Sequence, residues 1–414
     1  MARFFFGLLA VALTGSMRAG AQPYLKLHEK AIVVDTHNDV LSEATLKGLD
    51  IGTDLTGKAM TDLARFRKGG VDVQVFSIFC NDQFGVGSAF RQANREIDSL
   101  YSIAARNPDK MQIVTSSAGI EQAVKHHKLA AMLGVEGGHM IEDNMDYLDS
   151  LYKRGVRYMT LTWNNSTSWA TSAFDESRHA FTVTPYGLTE KGKEIVRRMN
   201  ELGMLVDLSH VGEKTFWDAI HTVNKPVICS HSSVYALCPV FRNLKDDQIR
   251  AIGANGGVIQ VNFYSGFLDS NYVPRVNRFS ARHKAEVDSM NAARAPQYAI
   301  SEYLSKRYPA EADSLRAPLS LLIDHIDYIV KMIGPDHVGL GSDFDGIESP
   351  PQQLDDVSTY PLITRELLKR GYKPADIEKI LGGNFIRVLK ANEAGTEAGY
   401  APDRTRRAMY KPQS

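Results

Sequence analysis

Eight short runs rich in β-branched and apolar residues recur along this chain, each followed by a longer segment of helical period, and that alternation restricts the possible folds more than any other feature. The runs cover residues 31–35, 71–79, 130–135, 157–161, 205–208, 226–229, 257–261 and 337–340. Helices are predicted between them at 90–105, at 145–154 closed by Gly155, at 190–202 between an N-capping Thr189 and a stop at Gly203, and at 319–333. Strands that are apolar almost throughout are covered on both faces, as in parallel sheets. Eight such units predict an α/β fold, a closed (β/α)8 TIM-type barrel, in preference to a doubly wound sheet. No glycine fingerprint of a dinucleotide or P-loop site follows any run.

The expected organisation is a signal peptide over residues 1–21, the barrel over 22–392 and a C-terminal tail over 393–414. Arg3 precedes an apolar stretch from Phe4 to Leu13, and Ala19-Gly20-Ala21 offers a small-residue cleavage site. Cleavage after Ala21 would release a periplasmic or secreted protein. That apolar stretch is far shorter than the roughly 20 residues a bilayer span requires, so no membrane anchor is expected in the mature form. One connection is long: residues 267–317, between the seventh and eighth runs, are polar and rich in Tyr and Arg, with a helical stretch near 281–307. It is expected to serve as a lid or a dimer contact. Lys+Arg and Asp+Glu number 48 each, which argues against a nucleic-acid partner. Three cysteines, Cys80, Cys229 and Cys238, are too few and too odd for a disulfide framework or a cysteine-rich zinc module.

Catalytic groups of such barrels sit where the strands end. The first run ends Asp35-Thr36-His37-Asn38-Asp39, and in extended chain His37 and Asp39 point the same way. The third ends Glu136-Gly137-Gly138, a carboxylate followed by residues that let backbone crowd a ligand. The fifth and sixth add His210 and His231, and the eighth adds Asp343 within Gly341-Ser342-Asp343-Phe344-Asp345-Gly346. A single histidine at a strand end is more often a hydrogen-bonded structural residue than a ligand. Three histidines and three carboxylates on one rim suit two zinc-like ions that activate a shared water. The other histidines, His28, His126, His127, His179, His221, His283, His325 and His337, fit structural or surface roles.

At these positions the chain resembles the renal (membrane) dipeptidase family, zinc peptidases of the amidohydrolase superfamily. The resemblance runs through the strand-end motifs above and through Gly137-Gly138-His139, Arg157-Tyr158-Met159-Thr160-Leu161-Thr162, Asp207-Leu208-Ser209-His210, Ser230-His231-Ser232, Arg242-Asn243 and Val261-Asn262-Phe263-Tyr264. It implies two Zn2+ per chain, one held by His37, Asp39 and Glu136 and the other by Glu136, His210 and His231. It further implies a dipeptide substrate, with Arg242 on its carboxylate, Asp343 as acid/base beside its amine, and Glu136 as a catalytic bridge. A homodimer and tolerance of a D-residue at the C-terminal position also follow from the resemblance.

Two departures stand out. Where the kidney form of the family has a substrate-contacting histidine after Leu-Thr, this chain has Trp163, which can donate one hydrogen bond but carries no charge. Substrate contacts are therefore expected from Trp163 and Asn164, with Tyr264 and His139 alongside. The family's disulfide partner for Cys80 would fall near Asn165, so that bond should be absent. Trp163 keeps open a related amidohydrolase acting on N-acyl amino acids or another small amide. A catalytically silent zinc- or peptide-binding barrel would require a lost ligand or a lost Asp343, and none is lost.

Overall fold

The computed structural model of the chain describes residues 23–178, 186–295 and 297–394. The expected leader, His179 and all but the first two residues of the expected tail lie outside these. Among the described residues, nine parallel strands form: β1 (Val34–Asp35), β2 (Val73–Phe79), β3 (Met111–Ile113), β4 (Leu129–Glu136), β5 (Val156–Thr160), β6 (Leu205–Asp207), β7 (Ile228–Cys229), β8 (Val258–Val261) and β9 (Val338–Leu340). Eight run in the order β1-β2-β4-β5-β6-β7-β8-β9. The Thr36 amide donates to Leu340 O at 3.2 Å and Asn38 bridges Phe344, which draws the last strand against the first. The architecture is the predicted (β/α)8 barrel.

Alternation along the strands builds two cores. Val73 and Val75, Ala130 and Met132, Leu205, Ile228 and Val258 form one cluster with Tyr158 inside the ring. Phe76, Ile78, Leu133, Val135, Val206 and Ile259 belong to a second and larger cluster with the surrounding helices. Helix Glu190–Leu202 illustrates how those helices are delimited. The Thr189 side chain accepts from the Gly192 amide, Ile195, Val196 and Met199 are buried, and Gly203 ends the helix at a φ of 82°. Helix Leu319–Ile333 likewise has its predicted bounds.

Two features differ from the sequence expectation. Met111–Ile113 is an additional short strand beside β4, too brief and too polar at Gln112 to register as an apolar run. The long connection is not a polar segment with one helix. It contains Ser265–Leu268, Tyr272–Arg282, Lys284–Ala292, Gln297–Arg307 and Pro309–Leu315, with a small core of Phe279, Ile300 and Leu304. These helices are short, and Lys284–Ala292 and Pro309–Leu315 have no fully buried residue to mark an apolar face. Among the described residues, no helix is long and apolar enough to cross a membrane.

Candidate metal centre and active site

Glu136, the last residue of β4, sits among the polar groups that the other strands deliver to this end of the barrel. Its two carboxylate oxygens face different neighbours. Oε2 lies 3.4 Å from His37 Nε2, while Oε1 lies 2.8 Å from His210 Nε2 and 3.4 Å from His231 Nε2. His37 Nε2 is also 3.4 Å from Asp39 Oδ2 and 3.9 Å from Asp343 Oδ1. All six residues named from the rim are therefore brought together. Two triads, His37-Glu136-His231 and His37-Asp39-Asp343, have candidate ligand atoms within 4.8 Å of one another.

The outer nitrogen of each ring is held by a separate partner, and these partners set the tautomers. His37 Nδ1 meets the Tyr158 hydroxyl at 2.8 Å, and that hydroxyl donates to Thr36 O at 3.1 Å, so the ring nitrogen is the donor. His210 Nδ1 donates to Asn164 Oδ1 at 3.2 Å. His231 Nδ1 donates to Ser230 Oγ at 2.8 Å, whose own proton goes to Asp207. Every Nδ1 thus carries a proton, and Nε2 is the atom that each ring turns toward Glu136. His210 Nε2 and His231 Nε2 are only 2.9 Å apart. Two lone pairs face each other at that separation only with a proton or a cation between them.

Burial works to raise the Glu136 carboxyl, but His37 and the hydrogen bonds of His210 and His231 outweigh it and hold the group well below its usual range. Burial, helped by the Arg242 charge, lowers His210 to about 4, and burial with His37 lowers His231 as well. Both rings are neutral at pH 7, the state in which imidazole binds metals. Asp343 moves the other way. Burial, reinforced by Asp39 and Glu136 against the opposing His37 and Asn262, lifts its carboxyl well above the usual range.

These residues open into a cavity of about 750 Å³. Asp343 lines it, with Oδ2 accepting from Asn262 Nδ2 at 2.8 Å. Arg242 lines it too, and although its guanidinium is buried only Nη2 has a partner, His231 O at 3.2 Å; Nε and Nη1 have none. His210, Asp343 and Asp345 all adopt left-handed backbone, with φ of 63°, 62° and 66°. Such strain costs about 1–3 kcal/mol per residue and collects at functional sites. Gly346 leaves the space over the carboxylates open, since a Cβ there would lie 2.2 Å from Asp39 Oδ2.

Trp163, Asn164 and Tyr264 line the same cavity. Trp163 packs edge-on against Phe79 at 5.0 Å, and the Tyr264 hydroxyl donates to Glu348 at 3.1 Å. Asn164 differs from the expectation in that its oxygen is already engaged by His210. His139 is a correction: it is not among the cavity residues. The glycine turn before it carries the ring away from the cluster, and its Nε2 donates to Cys80 O at 2.9 Å. Cys80, Cys229 and Cys238 are all buried and free. His28 and His325 are buried and hydrogen-bonded at both ring nitrogens, as structural histidines should be. The sequence reading missed Tyr158, Asn262, Ser230 and Asp207 as partners of site residues, although all four lie inside the motifs that carried the resemblance.

The donor set fits divalent zinc. His37 Nε2 and Asp39 Oδ1 are buried atoms without hydrogen-bond partners, and the cluster supplies only imidazole nitrogen and carboxylate oxygen, which zinc prefers. A sequence profile of the membrane dipeptidase family (Peptidase family M19) matches residues 22–400. Dipeptidase 3 of Mus musculus is 33% identical over 365 residues, 87% of this chain and 64% of the relative, so the chain spans just under two thirds of that protein's length. An uncharacterized dipeptidase of Schizosaccharomyces pombe is 33% identical over 404 residues, covering 93% of this chain and 86% of its own. The crystal structure of the probable dipeptidase PvdM from Pseudomonas aeruginosa superimposes with a TM-score of 0.73 at 26% identity, over 89% of this chain and 97% of that one.

Proposed function

Since the chain belongs to the membrane dipeptidase family, Peptidase family M19, we propose that it hydrolyses the peptide bond of free dipeptides with two zinc ions that share Glu136. The observation that carries this reading is the division of the Glu136 carboxylate, one oxygen toward His37 and the other toward His210 and His231. His37 and Asp39 would complete one site, and His210 and His231 the other. When bound, the ions supply Lewis acidity to the carbonyl oxygen and lower the pKa of the attacking water.

The chain's own residues account for the rest. Arg242, a buried cation with two donor nitrogens unpartnered, suits the substrate carboxylate. Asp343, anchored by Asn262, takes the water's proton and delivers it to the leaving nitrogen as the C–N bond breaks. Its carboxylate also pairs with the substrate ammonium, so the two terminal charges together restrict substrates to about two residues. Neither group reads the C-terminal side chain, which supports acceptance of a D-residue there. An N-acyl amino acid would leave the amine side unmatched. Trp163, whose indole has only a single donor, shapes side-chain preference beside Phe79.

Purified protein assayed on L,L-, L,D- and N-blocked dipeptides, before and after chelation, tests the proposal. Cleavage of the free dipeptides, lost on chelation and restored by zinc, is expected. Preferential cleavage of the N-blocked series would favour the related amidohydrolase. A cleaved leader and a homodimer belong to the same proposal, and are tested by the intact mass of exported protein and by light scattering.

A further inference from the structure

Tyr158 brings a phenol into the barrel interior, where phenylalanine would serve for packing alone. The pairing of β4 with β5 shifts register between Leu133 and Gly134, so that Leu133 faces Val156 and Gly134 faces Tyr158. A bulge of this kind re-aims side chains. Here it sets the Tyr158 ring across Gly134, where a Cβ would lie 2.1–2.4 Å from three ring carbons. Only the missing side chain of Gly134 gives the ring its seat, two residues before Glu136.

From that seat the hydroxyl reaches the end of β1. It donates to Thr36 O and accepts from His37 Nδ1, and His37 is completely buried, so no water can replace either bond. Removing the hydroxyl would leave a buried N–H without an acceptor, a loss the ring could relieve by moving its proton to Nε2 or by rotating. Either change takes the Nε2 lone pair away from Asp39 and Glu136.

We propose that Tyr158 is a positioning residue for metal binding, which holds His37 in the Nδ1-protonated tautomer and so supports the ion bound with Asp39 and Glu136, but not the ion at His210 and His231. The second pair of rings has its own supports in Asn164 and in Ser230 with Asp207. This inference rests on the two-ion reading above.

The test is a competitive chelator titration of the zinc-loaded full-length protein and its Tyr158→Phe variant, with melting temperatures taken in chelator. Phenylalanine keeps the ring in its seat, so the metal-free melting temperature should stay within a few degrees. One of the two zinc affinities should fall about 10–100-fold, the usual effect of losing an outer partner of a ligand, with the other within about threefold. Asn164→Ala should weaken the opposite ion. Two unchanged affinities in Tyr158→Phe would overturn the proposal, as would an equal fall in both accompanied by a lower metal-free melting temperature. Imidazole 15N spectra of the chelated parent provide a check that needs no variant: a neutral His37 ring carrying its proton on Nε2 alone contradicts the proposal. A parent that binds a single ion overturns the two-ion reading instead, before any variant is compared.

Discussion

Arg242→Lys isolates the recognition of the substrate carboxylate. The guanidinium is buried, donates Nη2 to His231 O, and leaves Nε and Nη1 without hydrogen-bond partners. A carboxylate bound by the planar guanidinium would gain charge-assisted bonds, each worth about 1.5–3 kcal/mol. Lysine retains the charge but offers a point donor in place of the fork, so one such bond is lost. The expected loss in kcat/KM is about 10–150-fold on a free dipeptide. Zinc content should not change, because Arg242 touches the metal cluster only through a backbone carbonyl. The assay compares kcat/KM on a free dipeptide and on its C-terminal amide, for parent and variant. The amide lacks the partner that the fork recognises, so on it the substitution should cost less than about threefold. The reasoning fails if the parent cleaves the amide as well as the acid, or if the variant loses the same factor on both.

Asp343→Asn should keep both metals and the fold while lowering kcat by about 10²-fold or more, whereas Trp163→Ala should act mainly on KM and substrate choice; steady-state kinetics beside zinc analysis would show the reverse if the tryptophan side of the pocket held the chemistry. Gly134→Ala should destabilise the fold by about 1–3 kcal/mol or more by driving a methyl into the Tyr158 ring, and a denaturation midpoint equal to the parent's would mean the seat is not close-packed. Burial raises Asp72 to about 6, outweighing the Val33 amide and His127. A folded-state pKa above the unfolded one makes stability full at low pH and diminishes it as pH rises through about 4 to 6, so the advantage of Asp72→Asn in chemical denaturation should grow by roughly 1–2 kcal/mol between pH 4.5 and 7.5. An advantage that shrinks over that range would refute the sign.

The barrel was legible because its strands are buried on both faces, which writes uninterrupted apolar runs into the sequence, and because Thr189 and Gly203 mark helix ends by local chemistry alone. The clustering of these polar residues was legible for a related reason: barrel geometry sends the residues at the strand ends to one rim, so His37, Glu136, His210 and His231 could be gathered without knowing any distance. What escaped depends on contacts between distant parts of the chain. Tyr158 and His37 are separated by 121 positions, and their meeting depends on a register shift that no local pattern records. Asn164 read as a substrate contact because it follows Trp163, yet its oxygen belongs to His210 across a loop. His139 read as part of the rim because it follows Glu136, but the turn at Gly137, with φ of 107°, redirects it to Cys80. In the long connection, Lys284–Ala292 and Pro309–Leu315 bury no residue fully and so leave no apolar period to read.

The central claim is that Glu136 is shared between two zinc ions, and a crystal structure with anomalous data on both sides of the zinc edge tests it most directly. Two anomalous peaks are predicted, each about 2.0–2.2 Å from a different oxygen of the Glu136 carboxylate, one beside His37 and Asp39 and the other beside His210 and His231. A single peak, or two peaks of which only one touches Glu136, would contradict the account.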